Sequence, residues 1–171
     1  MGDAKKDFVI PILVLTVICI VTSAALAFTQ GATAPIIKAA EEKAAEEAKM
    51  EVLPGAGGFE EIPLENMPEG ITGAFKADNG CVFLVTVKGY GGKMNLIVGI
   101  DNEGKIVNTK TLSHSETAGL GAKTAEPKFQ SQFKGKDESL EGVSTIGGAT
   151  ISSKAFISGM EKAFAAAKEA K

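Results

Sequence analysis

The sequence predicts an α+β protein: one N-terminal transmembrane helix, a helical stalk, and an extracytoplasmic domain with a largely antiparallel sheet and a C-terminal helix. Three observations predict it. Phe8 to Phe28 is a run of 21 residues without a charge. Three β-branched segments succeed one another between turn residues from Cys81 to Leu112, and the tail from Ile151 to Lys168 repeats apolar residues at helical spacing. At 171 residues the chain has room for one core plus an accessory segment. Strands in succession, then a helix to close them, fit a single α+β core.

The first element is the apolar run. As a helix rising 1.5 Å per residue, FVIPILVLTVICIVTSAALAF matches a hydrocarbon core of roughly 30 Å. The rival reading is a cleaved signal peptide, with Lys5 and Lys6 as its basic region and Ala25-Leu26-Ala27 as its cleavage signal. Both readings keep Lys5 and Lys6 inside and export the C-terminal part of the chain. Residues 1–7 are thus expected to be cytoplasmic, 8–28 to lie in the bilayer lipid, 29–54 to form an extracytoplasmic stalk helix, and 55–171 to form the domain. In the stalk, Lys38/Glu42 and Lys43/Glu47 stand at i,i+4 and Glu46/Lys49 at i,i+3, with Ile36, Ile37, Ala40, Ala44 and Ala48 as a weak apolar stripe. Pro54-Gly55 ends that pattern.

From Gly55 to Gly80 no period holds, which predicts a loop-rich lead-in with one short strand near Gly73 to Ala77. CVFLVTV, MNLIVGI and KIVNTKTL then read as three strands in meander order, turning at Gly89-Tyr90-Gly91-Gly92 and Asp101-Asn102-Glu103-Gly104. A short helix is expected around Phe129 and Phe133, and a further strand at Val143 to Ile146. In the final helix Ile151, Ala155, Phe156, Gly159, Met160, Ala163, Phe164 and Ala167 share one face, with Thr150 as the N-cap.

Several functions are disfavoured. No arginine occurs among the 18 basic residues and the formal charge is −3, so nucleic acid is a poor partner. Cys19 and Cys81 cannot form a disulfide framework, and with His114 as the one histidine a structural metal site lacks ligands. That histidine falls in a loop with no compelling Ser-His-Asp order, and no P-loop or complete dinucleotide fingerprint is present. Two loops carry more information. His114 to Lys123 holds a polar cluster before two glycines, and Gly147-Gly148-Ala149-Thr150 opens the amphipathic helix. Free N–H groups and the helix dipole would there accept a phosphate, although a simple capped helix start explains the same pattern.

Taken together, Gly89-Tyr90-Gly91-Gly92, the Ile97 to Gly104 hairpin, His114-x-Glu116-Thr117-x-Gly119-Leu120-Gly121 and Gly148-Ala149-Thr150 resemble the FMN-binding domain family. Within it the chain is most similar to the G subunits of the Rnf complexes, the ion-translocating ferredoxin:NAD oxidoreductases, with the C subunits of the Na⁺-translocating NADH:quinone oxidoreductases as near relatives. The resemblance extends over nearly the whole chain. It implies covalent FMN, its phosphate esterified to Thr150 by a flavin transferase. Gly148 and Ala149 would lie beside the phosphate, and Glu116, Thr117, Leu120 and Gly121 would face the ring, with His114 structuring the loop. Ser144, Gly147 and Ala118 stand where the family often has Asp, Ser and Pro.

The function this implies is electron transfer within a membrane-bound, redox-driven Na⁺ or H⁺ pump, assembled from further membrane and peripheral subunits. A single uncharged helix offers no ion path, so translocation would belong to those partners. A stand-alone exported flavoprotein and a cofactor-free anchored binding module are the alternatives.

Overall fold

The computed structural model describes residues 3–170. Met1 and Gly2, at the start of the expected cytoplasmic segment, and Lys171, at the end of the expected domain, lie outside the described residues. The chain divides into two compact units, Met1–Glu42 and Lys43–Lys171.

Helix α1 runs Asp3–Val52. Within the first unit its apolar side chains from Phe8 to Phe28 are exposed, and the helix is long and apolar enough to cross a membrane. Hydroxyls on such a surface need internal acceptors. Thr16, Thr22, Thr29 and Thr33 donate to the carbonyls of Ile12, Ile18, Ala25 and Thr29, four residues back, at 2.8 to 2.9 Å. The helical ion pairs expected from the sequence form, at 3.8 Å for Lys38–Glu42, 3.9 Å for Lys43–Glu47 and 2.6 Å for Lys49–Glu46.

In the second unit five antiparallel strands pair in sequence order: β1 (Glu60–Glu61), β2 (Ile71–Ala77), β3 (Gly80–Lys88), β4 (Lys93–Asp101) and β5 (Ile106–His114). The long central strands owe their form to alternation on a pleat. Phe83, Val85 and Val87 of β3 and Met94, Leu96 and Val98 of β4 point to one face. Helix α3 (Thr150–Glu169) covers that face with Phe156, Met160, Ala163 and Phe164. Phe129 of the short helix α2 (Pro127–Gln130) and Phe133 of the 3₁₀ turn after it complete the core, with ring centroids 5.0 to 5.5 Å apart around Phe156. Aromatic triplets of this kind contribute packing beyond their buried area.

The end of α1 covers part of the opposite face, where Ala48, Val52 and Leu53 bury against Val82 and Ile97. The approach is so close that a Cβ at Gly99 would lie 2.2 Å from the Val52 carbonyl oxygen, so β4 needs glycine there. Lys49 is buried beneath this crossing, 4% exposed, with its ammonium 3.3 Å from the Phe75 ring centroid.

Four local features differ from the sequence expectations. Val143 to Ile146 is a loop rather than a strand, because its backbone is taken by side chains. The Ser144 N–H donates to Gln132 Oε1 at 2.9 Å and the Ile146 N–H to Ser153 Oγ at 3.0 Å. The N-cap of α3 is Ala149 and not Thr150, since the Ala149 carbonyl already accepts the first helical bond, from the Ser153 N–H at 2.9 Å. His114 is the last residue of β5, opposite Met94, and not a loop residue. Finally, the start of α3 is turned so that Ser152 and Ser153 are buried while Ile151 is exposed. Their hydroxyls find acceptors there, which the apolar periodicity could not register.

Candidate functional site

The N-terminus of α3, the segment after β5 and the β3–β4 turn come together around one cleft of about 420 Å³. Its lining contains Glu116, Thr117, Leu120, Gly121, Gly148, Ala149 and Thr150, together with Tyr90, Ile151 and Ser152. All seven positions singled out from the sequence therefore meet, although Glu116 and Thr150 stand 34 positions apart in the chain. Tyr90, Ile151 and Ser152 were not among them. Tyr90 lies in the Gly89-Tyr90-Gly91-Gly92 motif, which the sequence offers as a turn and as part of the family resemblance but not as a ligand contact, and the other two belong to the helix.

Each wall has its own support. The β3–β4 turn is closed by the Gly89 N–H donating to the Gly92 carbonyl at 2.7 Å, which leaves Tyr90 projecting, 71% exposed. After β5 the chain turns at Gly119, whose φ of +75° lies in the left-handed region. The N–H groups of Leu120 and Ala122 return to the Thr117 carbonyl at 3.2 and 3.1 Å. The next 3₁₀ turn (Gly121–Ala125) is pinned by buried Thr124, whose hydroxyl donates to the Gly121 carbonyl at 2.7 Å. Gln130 reaches the same turn and β5, with its Nε2 3.4 Å from the Thr124 carbonyl and 3.0 Å from the Thr111 hydroxyl.

The third wall is the start of α3. Gly148 (φ +78°) turns the chain into the helix, and Ser153 laces the turn by donating to the Ala149 carbonyl and accepting from the Ile146 N–H. No side chain caps this helix. Its first N–H groups and the positive end of its dipole are left for another acceptor. Thr150, the first helical residue, is exposed, and the Gly148 backbone carries no side chain that would crowd an approaching group.

Glu116 is the exception among the cleft residues, because it is a buried carboxylate. Its Oε1 accepts the Gly91 N–H at 3.1 Å and its Oε2 accepts the Ser152 hydroxyl at 2.5 Å. Its own N–H donates to Nδ1 of His114 at 3.2 Å, which ties the segment to the end of β5.

An FMN-sized ligand suits this arrangement in two respects. A phosphate needs N–H donors and room at the backbone, found beside Thr150, and a flavin ring needs apolar and aromatic walls, found at Leu120, Ile151 and Tyr90. Among the described residues no group of three or more His, Cys, Asp or Glu could hold a metal.

Comparison with known proteins agrees with the geometry. Residues 89–165 match the FMN-binding domain family. The chain is 33% identical to the G subunit of the Na(+)-translocating ferredoxin:NAD(+) oxidoreductase complex of Acetobacterium woodii, over 86% of each chain. It is 31% identical to the G subunit of the ion-translocating oxidoreductase complex of Methanosarcina acetivorans, over 95% of each. With the G subunit of the proton-translocating ferredoxin:NAD(+) oxidoreductase complex of Clostridium ljungdahlii it shares 28% identity, over 87% of this chain and 85% of the other.

Proposed function

The chain belongs to the family of G subunits of ion-translocating oxidoreductase complexes and carries its FMN-binding domain, and we propose that it is an electron carrier holding FMN covalently on Thr150. The observation that carries this reading is the position of Thr150. Its hydroxyl stands exposed at the uncapped start of α3, on the rim of a cleft walled by Tyr90, Leu120 and Ile151.

Attachment is a phosphoryl transfer with no change of oxidation state. The Thr150 Oγ–P bond forms as the bond from the FMN phosphorus to the leaving group of an activated flavin nucleotide breaks, and the hydroxyl proton departs with that group. A flavin transferase supplies this step. The remaining negative charge on the phosphodiester is stabilised by the α3 N-terminus, by about 0.3 to 1 kcal/mol. The flavin, once bound, supplies the redox chemistry, and the protein holds the ring and tunes its surroundings. Leu120, Ile151 and Tyr90 would offer the ring apolar and aromatic contact, and Gly148 and Ala149 would let the phosphate approach the backbone. Electron transfer needs no acid–base pair from this chain.

In this reading residues 1–7 are cytoplasmic, 8–28 cross the lipid, 29–54 form the stalk, and 55–171 form the extracytoplasmic FMN domain. A covalent tie suits that compartment, because a carrier outside the cell could not recover a dissociated FMN. Other subunits of the complex pass electrons to it and move the ion. The relatives include both Na⁺ and proton-translocating complexes, which supports assigning the ion path to those partners. The test is flavin fluorescence after denaturing electrophoresis of the chain purified from native membranes. Wild type should fluoresce and Thr150→Val should be dark; equal fluorescence in both, or none in wild type, would refute the assignment.

A further inference from the structure

Among the described residues Glu116 is the one buried acidic side chain. A carboxylate in a cleft wall can face a ligand or hold the wall together, and its partners decide which. Both oxygens of Glu116 are engaged within the protein, Oε1 with the Gly91 N–H and Oε2 with the Ser152 hydroxyl. These partners belong to two different walls. Gly91 comes directly after Tyr90 in the β3–β4 turn, and Ser152 stands two residues after Thr150 in the first turn of α3.

The glycines around the carboxylate support the same reading. A Cβ at Gly89 would lie 2.0 Å from Oε1, and a Cβ at Gly121 would lie 2.4 Å from Oε2 and 2.5 Å from the Ser152 hydroxyl. Neither glycine has a positive φ, so backbone conformation does not require glycine at either position. What requires it is the space filled by the carboxylate together with Met94 Sδ, 2.9 Å from the added Cβ at Gly89, and the Ser152 hydroxyl at Gly121. The negative charge also sits beside the first turn of α3, where the helix dipole favours an anion.

We infer that Glu116 is a positioning residue: its buried carboxylate ties the Tyr90-Gly91 turn to the first turn of α3 and thereby sets the spacing of the walls between which the flavin ring lies. The resemblance implied a residue facing the ring; the hydrogen bonds give it a role through its neighbours. The inference rests on the reading that FMN occupies this cleft.

Two arms on the full-length chain in detergent test it, and only one depends on flavin. In the first, Glu116→Ala, Glu116→Gln and Ser152→Ala are each placed in a Thr150→Val background, and amide hydrogen exchange is measured at residues 90–92 and 150–153. Loss of a charge-assisted tie should speed exchange there by about tenfold in Glu116→Ala, while Glu116→Gln, which can still bridge both partners, stays within about twofold of the parent. Exchange in Glu116→Ala equal to that of the parent would overturn the inference, whatever happens to the flavin. Should exchange at Leu96 to Val98 show that Glu116→Ala unfolds the sheet, Ser152→Ala, which cuts one tie alone, decides by the same criterion at residues 150–153. In the second arm Thr150 is retained and the transferase is co-expressed. Glu116→Ala should then lose the visible circular dichroism of the held flavin, or fail to acquire flavin, and Glu116→Gln should restore the wild-type signal. Unaltered dichroism in Glu116→Ala would refute the positioning role, whereas a dark wild-type band would refute the Thr150 assignment and leave the exchange arm to decide the tie.

Discussion

Three glycines around the cleft separate three physical effects, and alanine at each gives a graded prediction. At Gly121 the backbone needs no glycine, but the added Cβ meets Glu116 Oε2 at 2.4 Å, Ser152 Oγ at 2.5 Å and Glu116 Cβ at 3.0 Å. These atoms are held by each other and cannot withdraw without breaking the tie. Gly121→Ala should therefore cost about 1 to 3 kcal/mol, the range for inserting a carbon into packed space. At Gly119 nothing lies within 4 Å of the new Cβ, but φ is +75°. Gly119→Ala should cost about 1 kcal/mol through backbone strain alone. At Gly147 there is neither a neighbour within 4 Å nor a positive φ, and alanine should change stability by less than about 0.5 kcal/mol. Urea unfolding of the full chain in detergent, monitored by far-ultraviolet circular dichroism, measures all three. The order Gly121 above Gly119 above Gly147 is required; a Gly121→Ala chain as stable as Gly147→Ala would refute the crowding around Glu116.

Further predictions concern the supports of the site. Phe156→Ala removes the ring shared by both Phe129 and Phe133 beneath α3, and should destabilise by about 3 to 5 kcal/mol in the same titration. Lys49→Ala should cost about 2 kcal/mol through loss of the buried cation–π contact with Phe75, whereas Lys38→Ala, whose partner is exposed, should cost less than about 0.5 kcal/mol. Asp137 accepts from the Ser139 hydroxyl at 2.7 Å and the Ser139 N–H at 3.0 Å, and these bonds hold its carboxyl below the ordinary 3.8. A carboxyl depressed in the folded state contributes stability above pH 3.8 that is lost as the pH falls through its lower folded value. Ser139→Ala should move the Asp137 titration, read by carboxyl-carbon NMR, back toward 3.8.

The parts of the fold governed by local periodicity were legible in the sequence. The β3, β4 and β5 segments are β-branched runs bounded by turn residues, the last helix repeats its apolar face, and the stalk pairs Lys with Glu at helical spacing. The two-residue strand β1 was not legible, because Glu60 and Glu61 have no strand character of their own and pair only because β2 offers an edge. Nor was the loop at Val143 to Ile146, where β-branched residues suggested a strand but Gln132 and Ser153 claim the backbone. The cleft residues were found through motif order, which names positions without assigning their contacts. Glu116 shows the limit: its glycine neighbours are visible in sequence, yet that Gly89 and Gly121 make room for it depends on segments meeting in space. Ser152 was hidden for the same reason, since a serine in an amphipathic helix looks like solvent-facing surface until its acceptor is known.

The proposed FMN ester on Thr150 is the bond on which the electron-carrier function depends. It is tested most directly by peptide mass spectrometry of the chain isolated from native membranes, across Gly147 to Lys154, with fragmentation to place the added mass. An increment of one FMN less one water is expected on Thr150 and on no other hydroxyl of that peptide. An unmodified peptide, or a flavin located on Ser152 or Ser153, would contradict it.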